Sequence, residues 1–258
     1  MKKIILFLSL IFVVTIANAQ SLAQRGDSAY NNKEYHNAVK YYEDAIKKDG
    51  VSSEILYNLG NAYYRSSNIA KAVLNYERAL LLTPNDKDIK ENLSFVRSKL
   101  IDKEDDSRSF MTKMLDNLIY SLSANNWACI SLILFVIILV LFGCYLLFER
   151  VKIRKVGFFG GIIITILFIF SITLTFISSS RLSSNNKAII LDSSTILSSN
   201  PHNPQSKAEE VLTLHEGTKV EILDSISTPN DSLTRMWYNI KFNNTKAWIK
   251  ANSIEKIK

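Results

Sequence analysis

Cysteine and histidine are scarce in this sequence of 258 residues, and their placement excludes several kinds of chemistry. The two cysteines, Cys129 and Cys144, fall in one apolar run, where a helix would hold them about 22 Å apart, too far for a disulfide. The three histidines, His36, His202 and His215, have no metal-ligand spacing. No glycine-rich phosphate loop or nucleophile motif accompanies them. We therefore expect no enzymatic activity, no metal and no cofactor.

A basic face for nucleic acid is also lacking, although the formal net charge is +7. Residues 20–126 carry 15 bases and 15 acids, so their net charge is zero. Much of the excess positive charge lies at Lys2, Lys3 and residues 149–155, where targeting and membrane orientation are encoded. Nucleic acid is therefore not an expected partner.

Two long segments contain no charged residue at all. Residues 127–148 form a run of 22, which as a helix is about 33 Å long and crosses a bilayer core of roughly 30 Å. Residues 156–180 form a second run of sufficient length. The intervening loop, 149–155, holds four bases, and the positive-inside rule places such a loop in the cytoplasm. The sequence therefore predicts a two-helix transmembrane hairpin with both flanking regions on the opposite side.

The amino terminus has the pattern of a secretory signal peptide. Lys2 and Lys3 are followed by an apolar run from Ile4 to Ile16 and by the ending Ala17-Asn18-Ala19. This pattern predicts a signal peptide at residues 1–19, and an uncleaved anchor helix is the alternative. Either form agrees with a two-pass protein of a bacterial inner membrane whose soluble domains are both periplasmic.

An internal repeat occupies residues 20–101. A shift of 34 residues superimposes small and aromatic residues: Gly26 on Gly60, Tyr30 on Tyr64, Ala38 on Ala72, Tyr42 on Tyr76 and Ala45 on Ala79. This period, and the second unit from Leu56 to Pro84, resemble the tetratricopeptide (TPR) consensus, in which each unit is a pair of helices. A further helix from Asp88 to Leu100 is expected to cap the stack.

The TPR resemblance implies a partner-binding groove lined by the first helix of each unit. The groove positions are Ala23, Asp27, Tyr30 and Asn31 in the first unit and Glu54, Tyr57, Asn61, Tyr64 and Arg65 in the second. Some TPRs clamp a carboxyl terminus with a Lys and an Asn of the first unit, but those positions are Ala23 and Asp27 here, so no such clamp is expected. Tyr57 and Tyr64 either face the groove or pack between helices.

Residues 102–126 connect the repeat to the membrane. The acidic run 102–106 predicts a solvated linker. An amphipathic helix from Phe110 to Leu122 follows, with an apolar face beside Trp127. That face either lies in the membrane interface, with Trp127 as anchor, or packs against a partner or the TPR stack.

Short strand-like runs fill the carboxyl-terminal region, 186–258. Five strands are predicted, at Ala188–Leu191, Val211–Leu214, Lys219–Leu223, Trp237–Phe242 and Ala247–Ile249. They suggest a small all-β barrel that resembles bacterial SH3-like domains. Trp237 and Trp248 are either core residues or sugar-stacking surfaces. His36 is placed between TPR helices, His202 in a loop, and His215 in a turn where its side chain bonds nearby backbone.

Taken in order, these parts resemble the BatE-like family of TPR proteins encoded in bacterial aerotolerance operons. Asn58-Leu59-Gly60 and Leu214-His215-Glu216-Gly217-Thr218 are the most specific sequences. The resemblance implies a multidomain membrane protein: an all-α TPR repeat, a two-helix transmembrane hairpin and an SH3-like barrel. It also implies partners in an inner-membrane complex, namely proteins with von Willebrand factor A domains and a MoxR-type ATPase. The expected function is a protein–protein interaction adaptor, and a cell-wall tether that binds peptidoglycan is the alternative.

Overall fold

The computed structural model describes residues 20–105, 109–119, 121–183, 186–227 and 236–257. The predicted signal peptide, 1–19, lies outside the described residues.

Paired helices form the amino-terminal unit, as the repeat predicts. Their bounds are Leu22–Asn31 (α1), Tyr35–Asp49 (α2), Ser53–Arg65 (α3), Ile69–Leu82 (α4) and Lys87–Ser98 (α5). Side chains that precede the helices cap backbone N–H groups three residues ahead: Ser21 before α1, Ser52 before α3, Asn68 before α4 and Asp86 before α5. The 34-residue period is therefore a period of helix pairs, in which every helix except α2 begins with a side-chain cap.

Glycine allows the two helices of each unit to approach closely. A Cβ on Gly26 would lie 2.5 Å from Cε1 of Tyr42, and one on Gly60 would lie 2.7 Å from Cε1 of Tyr76. Both tyrosines are almost fully buried. The same glycine–tyrosine contact thus occurs in both units, which explains why these residues recur with the repeat.

Three further helices follow: Phe110–Ile119 (α6), Ala124–Leu147 (α7) and Val151–Ser183 (α8). Among the described residues, α7 and α8 are the helices long and apolar enough to cross a membrane, and they pack against each other as a hairpin. The connection is shorter than the predicted loop of residues 149–155, because α8 already begins at Val151. The bases Lys152, Arg154 and Lys155 therefore belong to its first turns, where long side chains can reach water.

Seven antiparallel strands form the carboxyl-terminal sheet within the described residues. They are Lys187–Ile190 (β1), Ser194–Ser198 (β2), Glu210–His215 (β3), Lys219–Ser227 (β4), Met236–Phe242 (β5), Thr245–Lys250 (β6) and Ile254–Lys256 (β7). Their order is β3-β2-β6-β5-β4-β1-β7. The five predicted strands are confirmed, and β2 and β7 were missed. β2 is rich in serine and β7 is three residues long, so neither has the alternation that marks a strand.

The two tryptophans of the sheet differ in burial. Trp237 is 2% exposed and is a core residue, as one of the two interpretations held. Trp248 is half-buried on β6. Sugar stacking requires an accessible ring face, which the buried Trp237 lacks.

The sheet packs directly on the helical repeat. Ile189 of β1 and Ile257 share one apolar cluster with the buried repeat residues. The turn before β4 also meets the end of the repeat, since a Cβ on Gly217 would lie 2.6 Å from Leu100. Gly217 has a φ of +81°, so this turn requires glycine for backbone conformation as well as for space.

Candidate functional site

A cleft of about 290 Å³ lies in the predicted groove, between α1 and α3. It brings together four groove residues proposed from the sequence: Asp27, Tyr30, Asn31 and Asn61. Tyr42 and Asn58 complete its lining and were not predicted. Asn58 could have been identified, because it lies on the same helix one turn before Asn61.

Asp27 organises one end of this cleft. Its Oδ1 accepts hydrogen bonds from the Tyr42 hydroxyl, at 2.7 Å, and from Nδ2 of Asn58, at 3.3 Å. Burial and the hydrogen bond to the Asp27 carboxylate both raise the pKa of the Tyr42 phenol, so the phenol remains a donor. The carboxylate is thereby held in one position by α2 and α3.

Asn61 has the equivalent role one repeat later. Its Oδ1 accepts from the Tyr76 hydroxyl, at 2.6 Å, and from Nδ2 of Asn92, at 3.0 Å. Nδ2 of Asn92 also donates to the Tyr57 hydroxyl, at 3.0 Å. Tyr57 of α3 is therefore joined to α5 by this bond, and its ring stays half-buried. The first unit has a carboxylate where the second has an amide.

Aromatic side chains continue along the groove. The Tyr30 and Tyr35 rings meet edge to face, with centroids 5.4 Å apart, and the Tyr64 ring meets Phe95 in the same manner at 5.8 Å. Arg65 lies over the Tyr35 ring at 5.3 Å, and its Nε donates to the Tyr35 hydroxyl at 3.3 Å. Sequence reasoning missed Tyr35, Asn92 and Phe95, because they lie outside the first helices of the two matched units.

The remaining predicted groove residues lie at the margin. Glu54 is exposed and Ala23 is half-buried, and neither lines the cleft. The Glu54 charge nevertheless acts at this site, since it contributes to the raised pKa of the Tyr42 phenol.

A second cleft, of about 380 Å³, lies on the opposite side of the helix pairs. Apolar side chains form part of its wall, and Glu255 of β7 closes one edge. Tyr63 donates a hydrogen bond to Glu43 at 2.5 Å and accepts one from Lys71 at 3.3 Å. Burial and the bond to Glu43 raise the pKa of the Tyr63 phenol. These polar groups satisfy each other, so the cleft contains an internal network.

Charged contacts fix the sheet to the repeat. Glu77 of α4 is 8% exposed and receives Lys219 of β4 and Arg97 of α5. Burial would raise the pKa of Glu77, but the two cations outweigh it and hold the pKa below its usual value. Beside it, Arg78 donates to Glu255 at 2.8 Å.

Asp102 makes the second charged contact, and here the linker prediction needs correction. Its carboxylate accepts from the backbone N–H of His215 at 2.6 Å, from the Thr218 hydroxyl at 2.6 Å, and pairs with Nδ1 of His215 at 3.1 Å. Burial opposes the shift, but these donors lower the pKa of Asp102. Asp102 is thus a bridge to the β3–β4 turn, and the His215 side chain bonds a distant carboxylate and not nearby backbone.

The other histidines do not form a site. His36 is an exposed residue in the first turn of α2 and not between helices. His202 lies within hydrogen-bond distance of the Asn203 carbonyl, at 2.8 Å. In the described part of the chain, no group of three or more His, Cys, Asp or Glu residues is arranged to hold a metal ion.

Comparison with known families supports the repeat. Two tetratricopeptide repeat families match, one over residues 19–49 and the other over residues 53–86. A search of curated proteins finds no match to the chain. The two matches cover the helix pairs that build the groove, and tetratricopeptide repeats support a role in protein–protein interaction.

Proposed function

We propose that this protein is a membrane-anchored adaptor whose TPR groove holds a segment of a partner protein. The observation that carries the proposal is the cleft between α1 and α3, in which Asp27 and Asn61 are held in place by hydrogen bonds from Tyr42 and Tyr76. A groove that is ordered before binding loses little entropy when a peptide enters it. The adaptor has no catalytic chemistry of its own in this proposal.

Anchoring is supported by the apolar surface of the hairpin and of α6. The side chains of α7 and α8 that face away from each other are apolar and exposed. On α6, Phe110 is 78% exposed and Met111 is 59% exposed. Nε1 of Trp127 donates to the Ile119 carbonyl at 3.4 Å, which joins α6 to the start of α7. An amphipathic helix at this position lies in the interface of a bilayer.

The proposed topology places the repeat and the sheet together in the periplasm of a bacterial inner-membrane protein. Support comes from the Asp102–His215 contact, because segments before and after the hairpin touch only if they share one side of the membrane. The bases from Arg150 to Lys155 lie at the far end of the hairpin, which by the positive-inside rule is cytoplasmic.

The setting we propose is an aerotolerance or stress-tolerance complex, on the strength of the BatE-like order of parts. Companions would be proteins with von Willebrand factor A domains and a MoxR-type ATPase. The sheet is proposed to be SH3-like and to serve as a second contact. Peptidoglycan binding by this unit would depend on Trp248, since Trp237 is buried.

Co-purification in mild detergent tests the adaptor. The groove variant combines Asp27→Asn, which changes the cleft, with Arg65→Ala and Phe95→Ala, which change exposed groove side chains. The control, Lys47→Ala with Val51→Ala, alters exposed side chains at the opposite cleft. We expect membrane companions to accompany the wild type and the control and to be lost with the groove variant. Equal recovery of the companions with all three proteins would show that the groove is not the docking site.

A further inference from the structure

Only one of the two oxygens of the Asp27 carboxylate accepts hydrogen bonds from the described residues. Its Oδ1 is occupied by Tyr42 and Asn58, at 2.7 and 3.3 Å. Among the residues that the structure describes, none donates a hydrogen bond to the other oxygen, Oδ2. Asp27 is half-buried in the wall of the 290 Å³ cleft, so a ligand in the cleft can reach a carboxylate that still has a free acceptor. An acceptor in this state gains most from a charged donor.

The charges around Asp27 favour a cation. None of the six described residues that line the cleft is basic. The carboxylate of Glu54 adds a second negative charge near Tyr42. The charge of Arg65 acts on Tyr30, where it opposes the rise in the Tyr30 pKa caused by burial, but the Arg65 side chain is already engaged with the Tyr35 ring and hydroxyl.

The shape and composition of the cleft match a long basic side chain. Tyr30 belongs to the cleft wall, and an aromatic ring in such a wall can contact an alkyl stem or a cationic head. Asn31 and Asn58 line the same space, and an ammonium or guanidinium group has several donors for their amide oxygens. A volume of about 290 Å³ accommodates one such side chain.

We propose that the cleft at Asp27 binds a lysine or arginine side chain of the partner segment, so the groove selects basic peptides. This rests on the proposed function, since it names the chemistry of the groove's ligand. Such a cleft binds a positively charged group, whereas a groove that clamps a terminal carboxylate binds a negatively charged one. Asp27 is the residue that determines specificity, and Tyr42 and Asn58 position it.

The test uses full-length labelled protein in mild detergent on an array of random peptides with capped ends. We compare the wild type with Asp27→Asn, which keeps an acceptor for Tyr42 while it removes the charge. Asp49→Asn is the matched control, because it makes the same change of charge at an exposed site outside the cleft. Lysine and arginine should be enriched among peptides bound by the wild type and by the control. Asp27→Asn should lose this enrichment.

A second measurement uses the strongest binding peptide and the same peptide with its basic residue replaced by glutamine. The replacement should weaken binding to the wild type by about tenfold, as expected for one charge-assisted hydrogen bond, and should change binding to Asp27→Asn little. Glu54 is exposed, so Glu54→Gln does not disturb the core. This change should weaken binding of the basic peptide by a smaller factor.

The outcomes separate this inference from the function on which it rests. Peptides that bind in the groove without basic enrichment, or with enrichment that Asp27→Asn retains, overturn the inference and leave the adaptor intact. Binding that Asp27→Asn, Arg65→Ala and Phe95→Ala together do not reduce overturns both, because the groove is then not the docking site.

Discussion

Lys219 of β4 donates to both carboxylate oxygens of Glu77 on α4, at 2.9 and 2.8 Å, across the contact between the sheet and the helical repeat. The two residues are 142 positions apart in the chain. A carboxylate buried in this way is stable only with its partners, so the pair couples the folding of the two units.

Removal of this carboxylate should therefore destabilise both units together. Glu77→Ala leaves Lys219 and Arg97 without their shared anion, and we expect a loss of about 3 kcal/mol in the free energy of unfolding. Urea unfolding of the full-length protein, followed by tryptophan fluorescence, measures this value. Glu91→Gln, at an exposed position of α5, is the control and should change stability by less than about 0.5 kcal/mol. A Glu77→Ala protein as stable as this control would contradict the coupling.

Acid should weaken the same contact through Asp102. Its pKa is lowered from an ordinary value of 3.8, so its contribution to stability is present above that value and is lost as pH falls through the lower folded-state pKa. Wild type and Asp102→Asn should differ in melting temperature at pH 7, and the difference should shrink as the pH is lowered below about 4. A difference that stays constant down to pH 3 would show that the charge of Asp102 does not stabilise the fold.

The glycine–tyrosine contacts predict that any side-chain atom added at Gly26 or Gly60 lowers the stability of the repeat. Gly60→Ala places a Cβ against the buried Tyr76 ring, whose hydroxyl also bonds Asn61, and we expect a destabilisation of about 1–3 kcal/mol. Gly143→Ala is the matched control, since its Cβ would meet nothing within 4 Å. Thermal unfolding by circular dichroism compares the two. Equal melting temperatures would mean that the helices of the second unit can separate without loss.

The sequence predicted the helix pairs, the hairpin and five of the seven described strands, but it did not predict the contact between the repeat and the sheet. A 34-residue shift predicts the helix pairs because the same glycine and tyrosine recur, and hydropathy predicts the hairpin because residues 127–148 and 156–180 carry no charge. Glu77, however, has the same sequence context as any charged helix residue, and Asp102 belongs to a run that indicates a solvated linker. Their partners on the sheet lie more than 100 residues away, and no local pattern marks them.

This contact makes the topology testable in two separable parts. Reporters fused after Asp105 and after Lys256 should give the same result, because Asp102 and His215 touch and the segments that hold them cannot lie on opposite sides of a membrane. Both reporters should be periplasmic and one after Lys152 cytoplasmic, because Arg150, Lys152, Arg154 and Lys155 cluster at the far end of the hairpin. Alkaline phosphatase activity measures each fusion. Two cytoplasmic ends would overturn the orientation and leave the contact between repeat and sheet in place. One end on each side would overturn the contact itself, and the docking of the sheet on α4 with it.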